Sequence, residues 1–410
     1  MSDINRDRAE TLMREAGLDA LVLFQPEAFR YAIGAQAGVA TMWGRAGSAI
    51  ALVPSDATAP LAALVSDHAA PSVRMVAPNV DIRSHRIWID IVDLSGVEEL
   101  AQIDDAYRRS HSGGFRPETF DRSACFTLLR EVLNERGLAK GRIGADLEFM
   151  PAADFDALRR ALPDVIWVDG SETLRRLRVI KSSVEIERLR RAARAAEAGL
   201  VSLAEDVRPG AALSSLSDAW KAGAQAYASK NGFSLSGHWD YISVGPALSD
   251  MTAVVTPGAL IKADVGTLVD GYSSDGARTF SFGPVSSLAA DVFAALEDAF
   301  ANGVDALRPG NSFGAVHATM LTAMRSNGLG EYFRGHFGHS VGGGVGIEEW
   351  PFFSSDNAEI IEPGMVVAVE APFYGEGLGA LMIEDQFLIT ATGAECMTNL
   401  PRSLRDLSLR

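Results

Sequence analysis

The chain has 410 residues, 47% of them hydrophobic, and a formal net charge of −16. That length suits one large domain or two, and the apolar share is that of a packed globular protein. The acidic balance argues against nucleic acid as a partner, because phosphates would be repelled.

Only two cysteines occur, Cys125 and Cys396, which excludes a disulfide framework and fits a reducing cytoplasm. The opening residues lack an apolar signal core, and no apolar run reaches the roughly 18 residues that span a bilayer. A cytoplasmic protein without a membrane segment is expected.

In chain order, Arg6–Ala16 reads as an amphipathic helix ended by Gly17, and Asp19–Phe24 as a strand. Apolar segments recur at Ser48–Val53 and Leu61–Val65, and helical patterns at Ser123–Arg136 and Ala152–Leu162. This alternation predicts an α/β layer domain over residues 1–172. His85, Trp88 and Asp90 lie in an extended stretch that is either a half-buried strand or a surface reaching an active site. His68 and His111 sit in polar surroundings and are expected to be exposed. Lys181–Glu205 and Leu216–Ser229 are amphipathic helical patterns, and Ser234–Val244 reads as a strand carrying His238, Trp239, Asp240 and Tyr241. Ala289–Leu307 and Phe313–Met324 repeat the helix pair. Residues 173–410 therefore read as an α+β unit with helices on one curved, largely antiparallel sheet.

The second unit carries an internal repeat. Arg208-Pro209-Gly210 recurs as Arg308-Pro309-Gly310, and Pro257-Gly258 recurs as Pro363-Gly364. An acid stands six residues after each of the latter glycines, Asp264 and Glu370, and a second acid follows each, Asp275 and Glu384. A repeat of this size predicts two halves related by a pseudo-twofold axis, with their acids meeting there. The Asp270-Gly271 turn predicts a hairpin that sets Asp264 beside Asp275. Carboxylates crowded in an apolar sheet repel and need protons or cations between them, and four of them point to divalent metal.

Several motifs follow in order: Asp264-Val265-Gly266, Ser274-Asp275, Arg278-Thr279-Phe280, Gly338-His339-Ser340-Val341-Gly342, Glu362-Pro363-Gly364 with Glu370, and Ile383-Glu384-Asp385. On these the second unit resembles the pita-bread metallohydrolases, the family of methionine aminopeptidase, prolidase, aminopeptidase P and creatinase. The first unit resembles the small domain of the creatinase and prolidase branch, through Leu18-Asp19-Ala20-Leu21 and Arg178-Val179-Ile180-Lys181. The resemblance implies metal ligands Asp264, Asp275, His339, Glu370 and Glu384, holding two divalent ions that bridge a hydroxide. Oxygen-rich ligation with one imidazole suits manganese first, then cobalt, iron or zinc. It also implies hydrolysis of a C–N bond, with Glu370 moving the proton, a short-peptide or small-molecule substrate, and a homodimer.

Peptidases of the family carry a histidine seven positions after the metal histidine, where this chain has Gly346, or with a short insertion Ile347 or Glu348. Their histidine about 17 positions before the first aspartate falls near Ala247, and the arginine of aminopeptidase P before the last glutamate is Met382 here. His238, His336, Glu348 and Glu349 are the candidate replacements, and Trp239, Tyr241 and Trp350 are candidate walls of a small-molecule pocket. Two enzymatic readings follow, an Xaa-Pro peptidase-like hydrolase and a creatinase-like hydrolase of a small amide or cyclic amidine. A dimethylsulfoniopropionate-lyase-like enzyme fits less well, since the tyrosine and aspartate it needs are Arg334 and Val345. A binding protein on the same fold would be expected to have lost ligands.

Overall fold

A computed structural model describes residues 2–110, 114–344 and 346–409. His111 and Val345 lie outside the described residues. The chain divides into two compact units, Met1–Arg178 and Val179–Arg410. The expected boundary at 172/173 falls instead near the start of a helix, Ser171–Val179.

The first unit holds a mixed six-stranded sheet. Its strands are β1 (Ala20–Leu23), β2 (Ile50–Pro54), β3 (Ala62–Ser66), β4 (Asp81–His85), β5 (Arg142–Ala145) and β6 (Ile166–Asp169), in the order β4-β3-β2-β1-β5-β6. Strands β1, β2 and β3 are buried along their whole length because apolar side chains pack on both faces. The first helix, Arg6–Glu15, starts where Asn5 accepts from the Arg8 N–H and ends before Gly17, whose φ is +64°. His85 is buried with its Nε2 2.9 Å from the Ser48 carbonyl, which makes it a satisfied core residue. Trp88 stacks edge-on against Trp43, and Asp90 accepts from the Tyr107 hydroxyl. His68 is exposed.

The second unit is built twice over. Helices α1 (Ser183–Asp206) and α2 (Leu213–Lys230) precede strands β7 (Gly237–Val244), β8 (Ala259–Val269), β9 (Tyr272–Ser273) and β10 (Gly276–Phe282). Helices α3 (Ser287–Ala306) and α4 (Phe313–Ser326) precede β11 (His336–Ser340), β12 (Glu349–Ser354), β13 (Val366–Gly375) and β14 (Gly379–Thr390). The sheet runs β12-β11-β13-β14-β10-β8-β7, so the first three strands outward from the β14–β10 contact correspond on the two sides, and β12 extends one of them. The repeated turns make the same hydrogen bonds. Gly210 N–H donates to Val255 and Gly310 N–H to Ile361, while Gly258 N–H donates to Phe282 and Gly364 N–H to Ile389. Helices α1 and α2 pack on the β7–β8 side, and α3 and α4 on the β13–β14 side. Among the described residues no helix is long and apolar enough to cross a membrane.

Candidate metal centre

Each ligand candidate is placed by strand register. Strands β8 and β10 form the hairpin foreseen at Asp270-Gly271, whose φ values of 49° and 75° are those of a tight turn with both residues left-handed. In it Asp264 faces Ala277, so Asp275, just ahead of β10, is its diagonal neighbour rather than its direct partner. On the other half Glu370 of β13 lies directly opposite Glu384 of β14. The β10–β14 pairing, Ala277 with Glu384, joins the halves.

His339 arrives on β11. Gly338 before it has φ +123°, and a Cβ there would lie 2.1 Å from the Ala368 carbonyl oxygen, so only glycine lets β11 approach β13 at this point. His339 Nδ1 is 3.0 Å from the Ser340 carbonyl, which suits an N–H there and turns a lone pair on Nε2 toward Asp275, 3.5 Å away. Burial pushes the imidazole below its ordinary pKa, toward the neutral form that a metal ligand requires.

The acids are nearly dry: Asp275 is 6% exposed, Glu370 3% and Glu384 1%. Burial, reinforced by the neighbouring carboxylates, pushes Asp275 and Glu384 well above the usual carboxylate range. Asp264 is raised for the same first reason, with Lys262 acting against it. Glu370 goes the other way: burial opposes its charge, but His336 and Arg334 hold it below its ordinary value. Asp275 Oδ1 and Glu384 Oε2 are buried acceptors with no hydrogen-bond partner. One atom each from Asp275, His339 and Glu384 falls within 4.8 Å of the others, a grouping that fits a metal ion.

Above the acids lies a cavity of about 320 Å³, lined by Trp239, Tyr241, Ile347, Glu348 and Met382 with the five ligand candidates. His336 Nδ1 is 3.1 Å from Glu370 Oε1, and its Nε2 is 3.6 Å from Glu348 Oε2, so the ring bridges a buried carboxylate and a half-exposed one. Three expectations are corrected. His238 stacks on Trp220 of α2, on the strand face opposite Trp239 and Tyr241, and does not line the cavity. Trp350 packs against the apolar core rather than the cavity. Glu349 is tied down, accepting from the Gly344 N–H at 2.6 Å. Two cations went unnoticed in the sequence as members of the site, Arg334, 2.8 Å from Glu370, and Lys262, 3.3 Å from Asp264.

Arg278 fixes the β10–β14 joint beneath the centre. It is 3% exposed and donates to the carbonyls of Ala277, Glu384, Leu400 and Pro401 and to Asp385 at 2.7 Å. Arg278→Leu strands those acceptors and should lower the unfolding free energy by about 3–5 kcal/mol. Denaturant melts of the two proteins measure this, and a loss below about 1 kcal/mol would show that Arg402 and Thr398 alone satisfy Asp385.

A two-domain chain whose second unit is a duplicated sheet closing on buried acids and one histidine defines a class, the pita-bread metallohydrolases. Residues 187–391 match the model of metallopeptidase family M24, and residues 6–180 match the creatinase/prolidase N-terminal domain. The chain belongs to metallopeptidase family M24 and is a metal-dependent hydrolase. It is 30% identical over 257 residues to the probable dipeptidase PepE of Mycobacterium bovis, covering 62% of this chain and 68% of that one. It is 28% identical over 239 residues to the Xaa-Pro dipeptidase of Pyrococcus furiosus, covering 57% and 67%. The solved Xaa-Pro dipeptidase from Bacillus anthracis superposes with a TM-score of 0.76 at 21% identity over 98% of both chains, which shows the shared fold.

Proposed function

We propose that the protein hydrolyses the C–N bond of a dipeptide or other short peptide amide, in the manner of an Xaa-Pro peptidase. The observation that carries this reading is the convergence of Asp264, Asp275, His339, Glu370 and Glu384 on one cavity that also presents Glu348, with His336 set against both Glu370 and Glu348. The five residues would hold divalent metal, manganese first. Bound there, it supplies Lewis acidity, polarising the scissile carbonyl and bringing water's pKa from about 15.7 towards about 7.

The chain's own groups do the rest. Glu370, held ionised by Arg334 and His336, takes the proton from the attacking water. His336 passes a proton toward the leaving amine, with Glu348 orienting its far nitrogen; it stands in for the histidines missing at Gly346 and Ala247. Trp239, Tyr241 and Met382 wall the cavity and restrict it to a small side chain and its neighbour. The reading includes a homodimer in the cytoplasm.

The test is a panel of Xaa-Pro and other dipeptides, run beside small cyclic amidines, on chelated and manganese-reconstituted protein. Dipeptide turnover only with metal is the expected result. Amidine turnover without dipeptide turnover would replace this reading with the creatinase-like one.

A further inference from the structure

The two halves of the repeat differ beside their first acids. Asp264 and Glu370 occupy matching positions, six residues after Gly258 and Gly364. Two residues earlier, on the same strand face, one half has Lys262 and the other Ala368. Lys262 is 5% exposed, and its Nζ donates to Asp264 Oδ2 at 3.3 Å. The same Nζ lies 5.8 Å from the centre of the Tyr374 ring. An ammonium is costly to dehydrate, so a buried one marks a place where the surroundings demand positive charge.

The ligand atoms are divided in the same way. Asp275, His339 and Glu384 bring one atom each within 4.8 Å of the others. Asp275 Oδ1 and Glu384 Oε2 are buried without a hydrogen-bond partner, as is Glu370 Oε1, which has the His336 ring 3.1 Å away. Asp264 stands outside that group of ligand atoms and already faces a cation. Glu370 is likewise engaged, by Arg334 at 2.8 Å. Four carboxylates set against Lys262 and Arg334 keep two negative charges, the complement of one doubly charged ion. A second ion on Asp264 would share that carboxylate with a buried like charge, and the two would repel strongly in so dry a place.

We propose that Lys262 takes the place of a second metal ion, so that this centre holds one divalent ion, on Asp275, His339 and Glu384, where the family resemblance implies two. The inference rests on the reading of the site as a metal centre.

Full-length protein stripped with chelator and dialysed against manganese tests it, by metal content per chain and electron paramagnetic resonance. The wild type should take up one ion per chain and show the spectrum of an isolated ion. Lys262→Met should take up two and show a magnetically coupled pair. Two coupled ions in the wild type, or one ion in folded Lys262→Met, overturns the inference. Lys262→Gln, which keeps a polar group, runs alongside; if neither variant folds, the wild-type count alone decides. No bound ion at all would overturn the metal-centre reading itself, and the inference with it.

Discussion

Glu370→Gln is expected to lower kcat by about 10³-fold or more, the upper part of the range for a positioned proton acceptor. Glu370 is buried, faces Glu384 across the β13–β14 ladder, and is the one acid of the cluster held below its ordinary pKa. Its charge is therefore in place at neutral pH before any ion arrives. The amide keeps the shape but removes that charge, and it leaves Arg334 and His336 facing a neutral group. His336→Gln is the companion. Its ring touches Glu370 and Glu348 but lies outside the group formed by Asp275, His339 and Glu384, so metal content should be unchanged. Its kcat should fall by about 10²-fold. Steady-state kinetics with metal analysis separates the two. If Glu370→Gln retains turnover within tenfold of wild type, Glu370 is not the proton acceptor.

The repeat was legible because turns are written in residue type. Each Pro-Gly turn sets a strand start, so a fixed count to an acid sets a fixed depth in the sheet, and Asp264 and Glu370 were found by counting alone. Asp275 and Glu384 followed from order along the chain. The face of a strand was equally available but harder to use. Alternation along β7 puts Trp239 and Tyr241 on one side and His238 on the other, and only the burial of Trp220 in α2 shows which side is the helix layer. Lys262 shares the face of Asp264 by the same rule. Nothing local separates it from a lysine at a strand edge, however, since its burial depends on Tyr374, more than a hundred residues away. Arg334 and His336 meet Glu370 across strands, and Glu348 reaches His336 only through the glycine-rich turn after β11. Such meetings depend on register and loop path, which a single sequence does not specify. The boundary between units is soft in the sequence for a related reason, because the helix Ser171–Val179 runs up to it without a break in the polar pattern.

Removing metal should invert the protein's response to pH. Asp275 and Glu384 have folded pKa values raised well above their ordinary 3.8 and 4.5, so the empty site takes up protons on folding. Their contribution is fully present below those ordinary values and is lost as pH rises through the raised folded ones. Glu370 has the opposite sign. Its folded pKa lies below 4.5, so its contribution is present above that value and is lost as pH falls through the folded one. Above about pH 4.5 the raised pair governs, and chelated protein should lose stability steadily as pH increases. A divalent ion reverses this, because it needs the carboxylates ionised and its binding strengthens as they deprotonate. At a free concentration 100 times the dissociation constant, binding contributes about 2.7 kcal/mol. For a unit of this size that is a rise in Tm of about 5–10 °C. Melting curves from acid to neutral pH, with chelator and with manganese, should diverge as pH rises. Glu384→Gln should flatten the chelated curve, since it removes one of the raised acids. Curves that stay parallel across the range would mean that the buried acids do not hold the ion, whatever the enzyme's metal requirement.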